Sequence, residues 1–306
     1  MCALKTFWVV NPASANGQTG RKWPELLAKA RSALGPFDHV FTKRPWEAVK
    51  LCAGALRAGF DCIVAVGGDG TVNEVVNGFF TEGVASTDAC LAVVPRGTGG
   101  DFGRTYGWRN DFESALQRIL DPKPRAVDLG LVEFTATDGG VARRHFINIC
   151  SFGVSGLVDR EVQNVKMLGG KLSFMFGSVK SLMTYSDRRV RVSLDGAPAV
   201  EMDVTTLAVA NGRYFGGGMC VAPAAEPSDG LFDVTLWSGY GLSDFVLKSK
   251  AIYSGTHVRL AGTKTFKVST LSAECSSEVL LDVDGEQPGR LPCKISILPG
   301  AVRLLA

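Results

Sequence analysis

The run Gly67-Gly68-Asp69-Gly70-Thr71 constrains this chain more than any other segment. It joins the apolar stretch Asp61-Cys62-Ile63-Val64-Ala65-Val66 to a helix-like Val72-Asn73-Glu74-Val75-Val76-Asn77-Gly78. A strand, a glycine-rich turn and a helix start make an anion cradle. Glycines permit positive φ and close backbone approach, while successive N–H groups and the positive end of the helix dipole favour phosphate. Asp69 alone would repel a phosphate, so its place in the cradle points to a bridging divalent cation, Mg²⁺ before others. The Walker spacing occurs nowhere in the chain, the dinucleotide fingerprint fails at Asn73 where a third glycine is needed, and the protein-kinase motif set is missing. Taken alone, the turn has a second reading as simple strand-end punctuation.

At 306 residues the chain fits two domains of ordinary size. A hydrophobic fraction of 46% with 21% charged residues belongs to a folded chain. The net charge of +3 allows attraction to an anionic membrane surface, but the dense Lys/Arg runs of a nucleic-acid binder are missing, so no nucleic-acid partner is expected. Eight scattered cysteines, never spaced Cys-x-x-Cys, read as buried free thiols. His39, His145 and His257 are too dispersed to suggest a zinc site or a Ser-His-Asp triad. The N-terminal apolar run is short for a secretion signal and reads as a first strand, and no stretch approaches the roughly 18 apolar residues of a membrane-spanning helix. These features predict a cytoplasmic protein whose membrane contact is peripheral.

Residues 1–127 alternate strand and helix signals. Strands are expected at Phe7 to Val10, His39 to Phe41, Cys62 to Val66 and Cys90 to Val94. Helices are expected at Trp23 to Leu34, Trp46 to Ala58, after Thr71, and at Asp111 to Leu120. This is a parallel α/β layer, whose ligands belong at the C-terminal ends of strands. The loops Asn11 to Gly20, Gly67 to Thr71 and Pro95 to Arg104 all fall there, which strengthens the phosphate reading. Asp121 to Arg125, with its two prolines, reads as a linker. Residues 128–293 then read as a β-rich second domain, with strand-like runs such as Arg144 to Cys150, Thr205 to Ala210, Phe232 to Trp237, Phe266 to Thr270 and Glu278 to Val283. The last apolar run, within 294–306, is expected to complete the first domain. One helix, with Leu172, Met175, Val179, Leu182 and Met183 on a face, reads as packed on the sheet or as a greasy wall for a lipid chain.

These segments together resemble the diacylglycerol kinase catalytic-domain family, which includes sphingosine kinases and bacterial soluble lipid kinases. The match runs from Val9-Val10-Asn11-Pro12 through the glycine run and Pro95-Arg96-Gly97-Thr98-Gly99-Gly100-Asp101-Phe102. It continues through Val127-Asp128-Leu129-Gly130, Ala222-Pro223-Ala224 and Asp229-Gly230-Leu231-Phe232-Asp233-Val234 to Asp284-Gly285-Glu286. The resemblance implies a three-layer, mostly parallel α/β domain and a β-sandwich domain with the active site in the cleft between them. It implies ATP contacts at Asn11, Pro12, Ala13, Ser14, Ala15, Thr42, Gly67, Gly68, Asp69, Gly70, Thr71, Val72, Asn73 and Thr98. It also implies that Asp69 holds catalytic Mg²⁺, that Glu286 accepts the proton of a lipid hydroxyl with Asp284 close by, and that Asp101 and Asp128 are supporting carboxylates. A structural Mg²⁺ is implied at Asp229 with backbone oxygens of Glu226 and Leu231. Two positions depart from the family pattern, Gly100 where many members carry Asn and Ala15 where glycine is usual.

The chemistry so implied is transfer of the ATP γ-phosphoryl group to a lipid hydroxyl, which requires in-line positioning and charge neutralisation. Diacylglycerol is the default acceptor, with a sphingoid base, ceramide or phosphatidylglycerol as alternatives. A NAD kinase shares the Gly-Gly-Asp-Gly turn, but the continuation to Gly78 and the Asp-Gly-Glu motif favour a lipid. A catalytically silent binding module would have lost Asp69 or the Asp-Gly-Glu carboxylates, and both are present. A homodimer is compatible with this pattern.

Overall fold

The computed structural model describes residues 4–81, 88–97, 100–164 and 185–306. It divides into two compact units, Met1–Val127 with Gly300–Ala306, and Asp128–Pro299. In the first unit, strands β1 (Thr6–Val10), β2 (Asp38–Phe41), β3 (Cys62–Gly67) and β4 (Cys90–Pro95) pair in parallel in the order β2-β1-β3-β4. The end of the C-terminal strand Gly289–Leu305 lies parallel to β4, with Arg303 opposite Cys90 and Leu304 opposite Leu91. Every residue of β3 is buried, as a parallel sheet covered on both faces requires.

Among the described residues this unit has the helices α1 (Gln18–Leu34), α2 (Glu47–Arg57), α3 (Asp69–Phe79), α4 (Asp101–Thr105) and α5 (Phe112–Leu120). On one sheet face Trp8, Val10, Val64, Val66, Ala92 and Val94 pack with Trp23, Leu26 and Ala30 of α1 and with Phe112, Ala115 and Ile119 of α5. The alternate residues Val9, Ile63, Ala65, Leu91 and Val93 are buried on the other face, where α2 and α3 lie. A Cβ on Gly78 would stand 2.5 Å from Cys52 Cβ, so this glycine lets α3 lie close against α2.

The helix boundaries differ from the sequence reading for local reasons. Helix α1 starts at Gln18 rather than Trp23, because the left-handed residues Ala15, Asn16 and Gly17 turn the chain directly into it. Helix α3 starts at Asp69 rather than after Thr71, with Gly68 as its N-cap. Asp111 caps α5 instead of joining it, its carboxylate accepting the Ser114 N–H at 2.7 Å.

The second unit contains β5 (Pro124–Ala136), β6 (Val141–Phe146), β7 (Ile149–Gly153), α6 (Val154–Asn164), β8 (Arg188–Leu194), β9 (Val200–Val204) and β10 (Thr206–Ala210). A short ribbon of β11 (Tyr214–Phe215) and β12 (Met219–Cys220) follows, then β13 (Phe232–Trp237), α7 (Leu242–Ser254), β14 (Thr263–Val268), β15 (Thr270–Glu274), β16 (Leu281–Val283) and β17 (Gly289–Leu305). One sheet runs β14-β13-β10-β7-β16, all antiparallel. In the other, β9, β8, β15 and β17 follow one another, β5 pairs with β17, and β6 pairs with β5. Phe152, Leu207, Phe232, Leu236 and Leu281 of the first sheet share one buried cluster with Val132, Phe146, Val190, Leu271 and Ile295 of the second, which defines a β-sandwich. Phe146 stacks on Phe232 at 5.6 Å between ring centroids.

Two expectations change here. The single strand read at Arg144 to Cys150 is broken at Ile147-Asn148, between β6 and β7. The run Phe266 to Thr270 straddles the end of β14 and the start of β15, and α7 was not read as a helix. The amphipathic helix read around Leu172 to Met183 lies outside the described residues.

Among the described residues seven cysteines are free, and all but Cys275 are buried. Burial pushes the Cys52, Cys62 and Cys150 thiols far above their ordinary value and lifts Cys293 to about 12. Cys62 and Cys90 face each other in register on β3 and β4.

The sandwich is intolerant of added volume at Gly130, where a Cβ would lie 2.0 Å from Phe146 Cζ. Phe146 is fully buried and held by Phe232, so it has nowhere to move. Gly130→Ala is expected to destabilise the protein by about 2 kcal/mol. A thermal melt unchanged from wild type would contradict this packing.

Candidate active site

The C-terminal ends of four adjacent parallel strands bring the first set of residues together. Val10 at the end of β1 is in register with Phe41 of β2 and Val66 of β3, and Gly67 with Pro95 of β4. Asn11, Thr42, Gly67-Gly68 and Arg96-Gly97 follow those ends on one edge of the sheet, the usual location for a ligand in an open α/β layer. The Thr42 N–H donates to Val10 O at 2.9 Å, and the Asn11 N–H to Val66 O at 2.9 Å.

Two glycine loops meet backbone to backbone at this edge. The Arg96 N–H donates to Gly67 O at 2.7 Å, and a Cβ on Gly97 would stand 2.8 Å from Gly68 Cα. Thr71 folds back over Gly67, where a Cβ would meet its Oγ1 at 2.3 Å. The Asn11 side-chain amide donates to that same Oγ1 at 3.1 Å, tying the first loop to the second. Ser14 donates from its hydroxyl to Asn11 O, and the Ala13 N–H donates to Asn11 Oδ1. Gly68, which has no side chain to cap α3, leaves the helix start open to a ligand.

The expected nucleotide contacts therefore divide into two groups. Asn11, Ser14, Ala15, Thr42, Gly68, Asp69 and Gly70 are partly exposed at the sheet edge, and Ala13 is exposed. Thr71, Val72 and Asn73 are buried, and the Thr71 and Val72 N–H groups are given to Gly68 O, so these residues brace the cradle from behind. Pro12 supports α1, its carbonyl accepting the Gly20 N–H at 3.0 Å. Thr98 lies outside the described residues.

Asp69 stands at the first position of α3, where its Oδ2 accepts the Asp101 N–H at 3.3 Å. Burial, with repulsion from the Asp101 carboxylate, pushes its pKa up to about 6. Asp101 is itself buried and held by Arg104 at 3.3 Å. Two close carboxylates beside an open helix N-terminus suit a Mg²⁺ ion, which binds one or two carboxylates and completes its shell with phosphate oxygens and water. Among the described residues no set of three or more acidic, His or Cys side chains is placed to hold a metal by itself.

The two departures from the family pattern have backbone explanations. Gly100 caps α4 with φ 63, a left-handed conformation that Gly and Asn both tolerate, so Gly in place of Asn keeps the turn. Ala15 sits at φ 52, where its Cβ is strained and glycine would not be.

In the second unit, Asp284 and Gly285 occupy a two-residue hairpin turn, both with positive φ, closed by the Val283 and Glu286 backbones. The Asp284 side chain is buried and accepts three backbone N–H bonds, from Ile147 at 3.0 Å, Asn148 at 3.0 Å and Ile149 at 2.9 Å. Those donors span the break between β6 and β7. Buried Asp282 accepts the Gly285 N–H at 2.8 Å and the Ser151 hydroxyl at 3.0 Å. Glu286 is partly exposed, with its Oε2 3.1 Å from Arg144 Nη1. The turn therefore combines a pinned carboxylate, Asp284, with an accessible one, Glu286.

Asp128 anchors the neighbouring loop, its Oδ2 accepting the Gly230 N–H at 2.7 Å. The Asn211 amide donates to both Asp128 O and Ile147 O, linking this loop to the peptides that hold Asp284. Asp229, expected to bind a structural metal with Glu226 and Leu231, is engaged by the Lys267 ammonium at 2.7 Å. Sequence reasoning missed Arg144, Asp282, Asn211 and Lys267. Only the cross-strand pairing of Asp233 with Lys267 carried a local signal, and it needed a known register.

A glycine-lined anion cradle with an acidic pair, on a parallel α/β unit that accompanies a β-sandwich, defines a phosphotransferase of the kinase type. Residues 5–132 match the diacylglycerol kinase catalytic domain, and residues 148–306 match the YegS C-terminal NAD kinase beta sandwich-like domain. The chain belongs to this family of diacylglycerol kinase and YegS-like lipid kinases. It is 26% identical to a diacylglycerol kinase of Mycobacterium tuberculosis over 97% of this chain and 93% of that one. It is 31% identical to the probable lipid kinase YegS-like of Stenotrophomonas maltophilia over 85% and 84% of the two chains. A crystal structure of a diacylglycerol kinase from Bacillus anthracis, 24% identical, covers 100% of this chain and 97% of its own with a TM-score of 0.73, a likeness of fold.

The strained alanine in the first loop gives a direct test of the loop geometry. Ala15→Gly relieves the left-handed strain but adds freedom to the unfolded chain, so a net gain of up to about 1 kcal/mol is expected. A lower melting temperature for Ala15→Gly would be inconsistent with this loop conformation.

Proposed function

We propose that this protein transfers the γ-phosphoryl group of ATP to a lipid hydroxyl, with diacylglycerol as acceptor and phosphatidic acid as product. The observation that carries this reading is the cradle formed by Gly68, Gly97 and Asp69, where backbone replaces side chain and a carboxylate stands at a helix start. Phosphoryl transfer needs little covalent chemistry from the protein, and its transition state is loose. Positioning and charge balance therefore matter more than base strength. Asn11, Ser14 and Thr42 orient the nucleotide, and the α3 N-terminus faces the phosphates. Asp69 would hold Mg²⁺, which would supply charge neutralisation at the phosphates.

Glu286 takes the acceptor's proton in this reading. Arg144, 3.1 Å from that carboxylate, keeps it aimed, and a modest base is enough when the proton leaves late. Asp284, whose oxygens are already given to three peptides, positions Glu286 rather than accepting the proton.

Phosphate transfer from radiolabelled ATP to a panel of lipids in mixed micelles tests the acceptor, with diacylglycerol, a sphingoid base, ceramide, phosphatidylglycerol and NAD as arms. Diacylglycerol is expected to be labelled fastest. Glu286→Gln should lower turnover about a hundredfold with ATP affinity retained. Asp284→Asn should lower stability by about 2 kcal/mol as well, because its peptides lose a charged acceptor. Full turnover in both variants would end the base assignment.

Asp69→Asn should abolish transfer yet stabilise the metal-free protein. A carboxyl held near 6, above its ordinary 3.8, binds protons more readily folded than unfolded. Its ionised form therefore destabilises the fold above pH 6. The variant should be about 1 to 2 kcal/mol more stable at pH 8 in chelator, with the advantage fading as the pH falls from 6 towards 4. An Asp69→Asn protein that melts below wild type at pH 8 would count against this.

No helix among the described residues is long and apolar enough to cross a membrane. An acceptor that resides in a bilayer calls for surface contact, and we assign it to α7. Val246, Leu247 and Tyr253 are 65%, 83% and 53% exposed on this helix. Lys250 lies among them, and the exposed residues of α7 include no carboxylate. Leu247→Ser with Tyr253→Ser should reduce sedimentation with phosphatidylglycerol vesicles several-fold and leave labelling of a short-chain, soluble diacylglycerol unchanged. Unaltered sedimentation would remove α7 from the interface.

A further inference from the structure

The turn Glu226–Leu231 precedes β13, where the resemblance implies a divalent cation. The groups present do not fit one. Asp233 of β13 is directly opposite Lys267 of β14 in the antiparallel register. Lys267 Nζ lies 2.7 Å from Asp229 Oδ2 and 3.4 Å from Asp233 Oδ2. Asp229 Oδ1 is given to the Leu231 N–H at 3.0 Å. The Glu226 carbonyl accepts the Ser228 and Asp229 N–H groups at 2.8 and 3.3 Å, closing the turn on itself, and the Glu226 carboxylate lies 3.6 Å from Arg213.

A Mg²⁺ ion demands near-octahedral oxygen ligands at about 2.0 to 2.1 Å. It could not share Asp229 with an ammonium already bound there, because two cations within a few ångströms repel strongly. We propose that the Lys267 ammonium occupies the place of the structural cation, so that the second unit is held by a tethered charge and needs no divalent metal. The arrangement is suited to this: an ammonium has three N–H donors, and it meets the two carboxylates on either side of Leu231-Phe232.

The consequence reaches the catalytic turn. Asp128 receives the Gly230 N–H from this loop and donates its own N–H to Pro227 O at 2.8 Å. Asn211 then joins Asp128 to Ile147, whose N–H is held by Asp284. Lys267 is thus connected to the Asp-Gly-Glu hairpin through the Asp229-Gly230 turn, Asp128, Asn211 and Ile147.

Thermal melts test this without any assay of activity. They are run in an Asp69→Asn background, so that Mg²⁺ at the nucleotide cradle does not contribute. With Lys267 present, the melting temperature should be the same in chelator and in millimolar Mg²⁺. Lys267→Ser should melt about 5 °C lower in chelator, since two carboxylates lose their cation, and should recover part of that loss on addition of Mg²⁺. Lys267→Arg should melt close to the parent. A Mg²⁺-dependent rise in the Lys267 protein that disappears with Asp229→Ala would overturn the proposal, as would a Lys267→Ser protein that melts like its parent in chelator. Because the readout is stability, the result stands apart from whether the lipid-kinase reading holds.

Discussion

The approach of Gly68 to Gly97 is the contact on which the α/β unit of this molecule depends. Two strand-end loops touch through their backbones, so a Cβ on Gly97 would stand 2.8 Å from Gly68 Cα and drive the loops apart, whereas one on Gly68 would only reach ordinary contact at 3.5 Å. That closeness leaves peptide groups, rather than side chains, to face whatever binds there. Beside it Thr71 lies over Gly67 and gives Asn11 an acceptor, so close contacts at the two glycines join three segments far apart in sequence.

Acidic residues are used in three different ways. Burial, and then repulsion from Asp101, raise the Asp69 pKa, a destabilising arrangement that a bound cation would relieve. Asp284 and Asp282 are buried acceptors for backbone and hydroxyl donors, so their charge is already balanced by hydrogen bonds. Glu286 remains partly exposed, paired with the largely buried Arg144 of β6. What distinguishes these groups is environment, since all are carboxylates, and environment decides which one can exchange a proton or a ligand.

The alternation of apolar runs and glycine turns made the α/β layer legible from sequence, and short strands spaced by turns did the same for the sandwich. Both signals are local. The details that escaped are the ones set by distant partners. Arg144 to Cys150 looks like one strand because every residue suits it. The break at Ile147-Asn148 exists because those peptides donate to Asp284, 137 and 136 residues further on. The start of α3 was misplaced because glycine at a helix N-cap leaves little signal, and α7 was missed because apolar side chains lie on its exposed side as well as its buried one. For the site residues, the motif gave the types in order. It did not reveal that Val72 and Asn73 face inward, or that a lysine on another strand would reach Asp229.

The buried thiols have a practical consequence. While the chain is folded, the sulfurs of Cys52, Cys62 and Cys150 are protonated and screened, so neither oxidants nor alkylating reagents reach reactive thiolate. Unfolding releases all of them at once into solvent, where their acidity returns to normal and chains can cross-link. Heating in air should therefore be irreversible even though each unit is small enough to refold, and reversible unfolding should require a reductant. The same burial makes the rate of thiol modification a sensitive counter of transient opening.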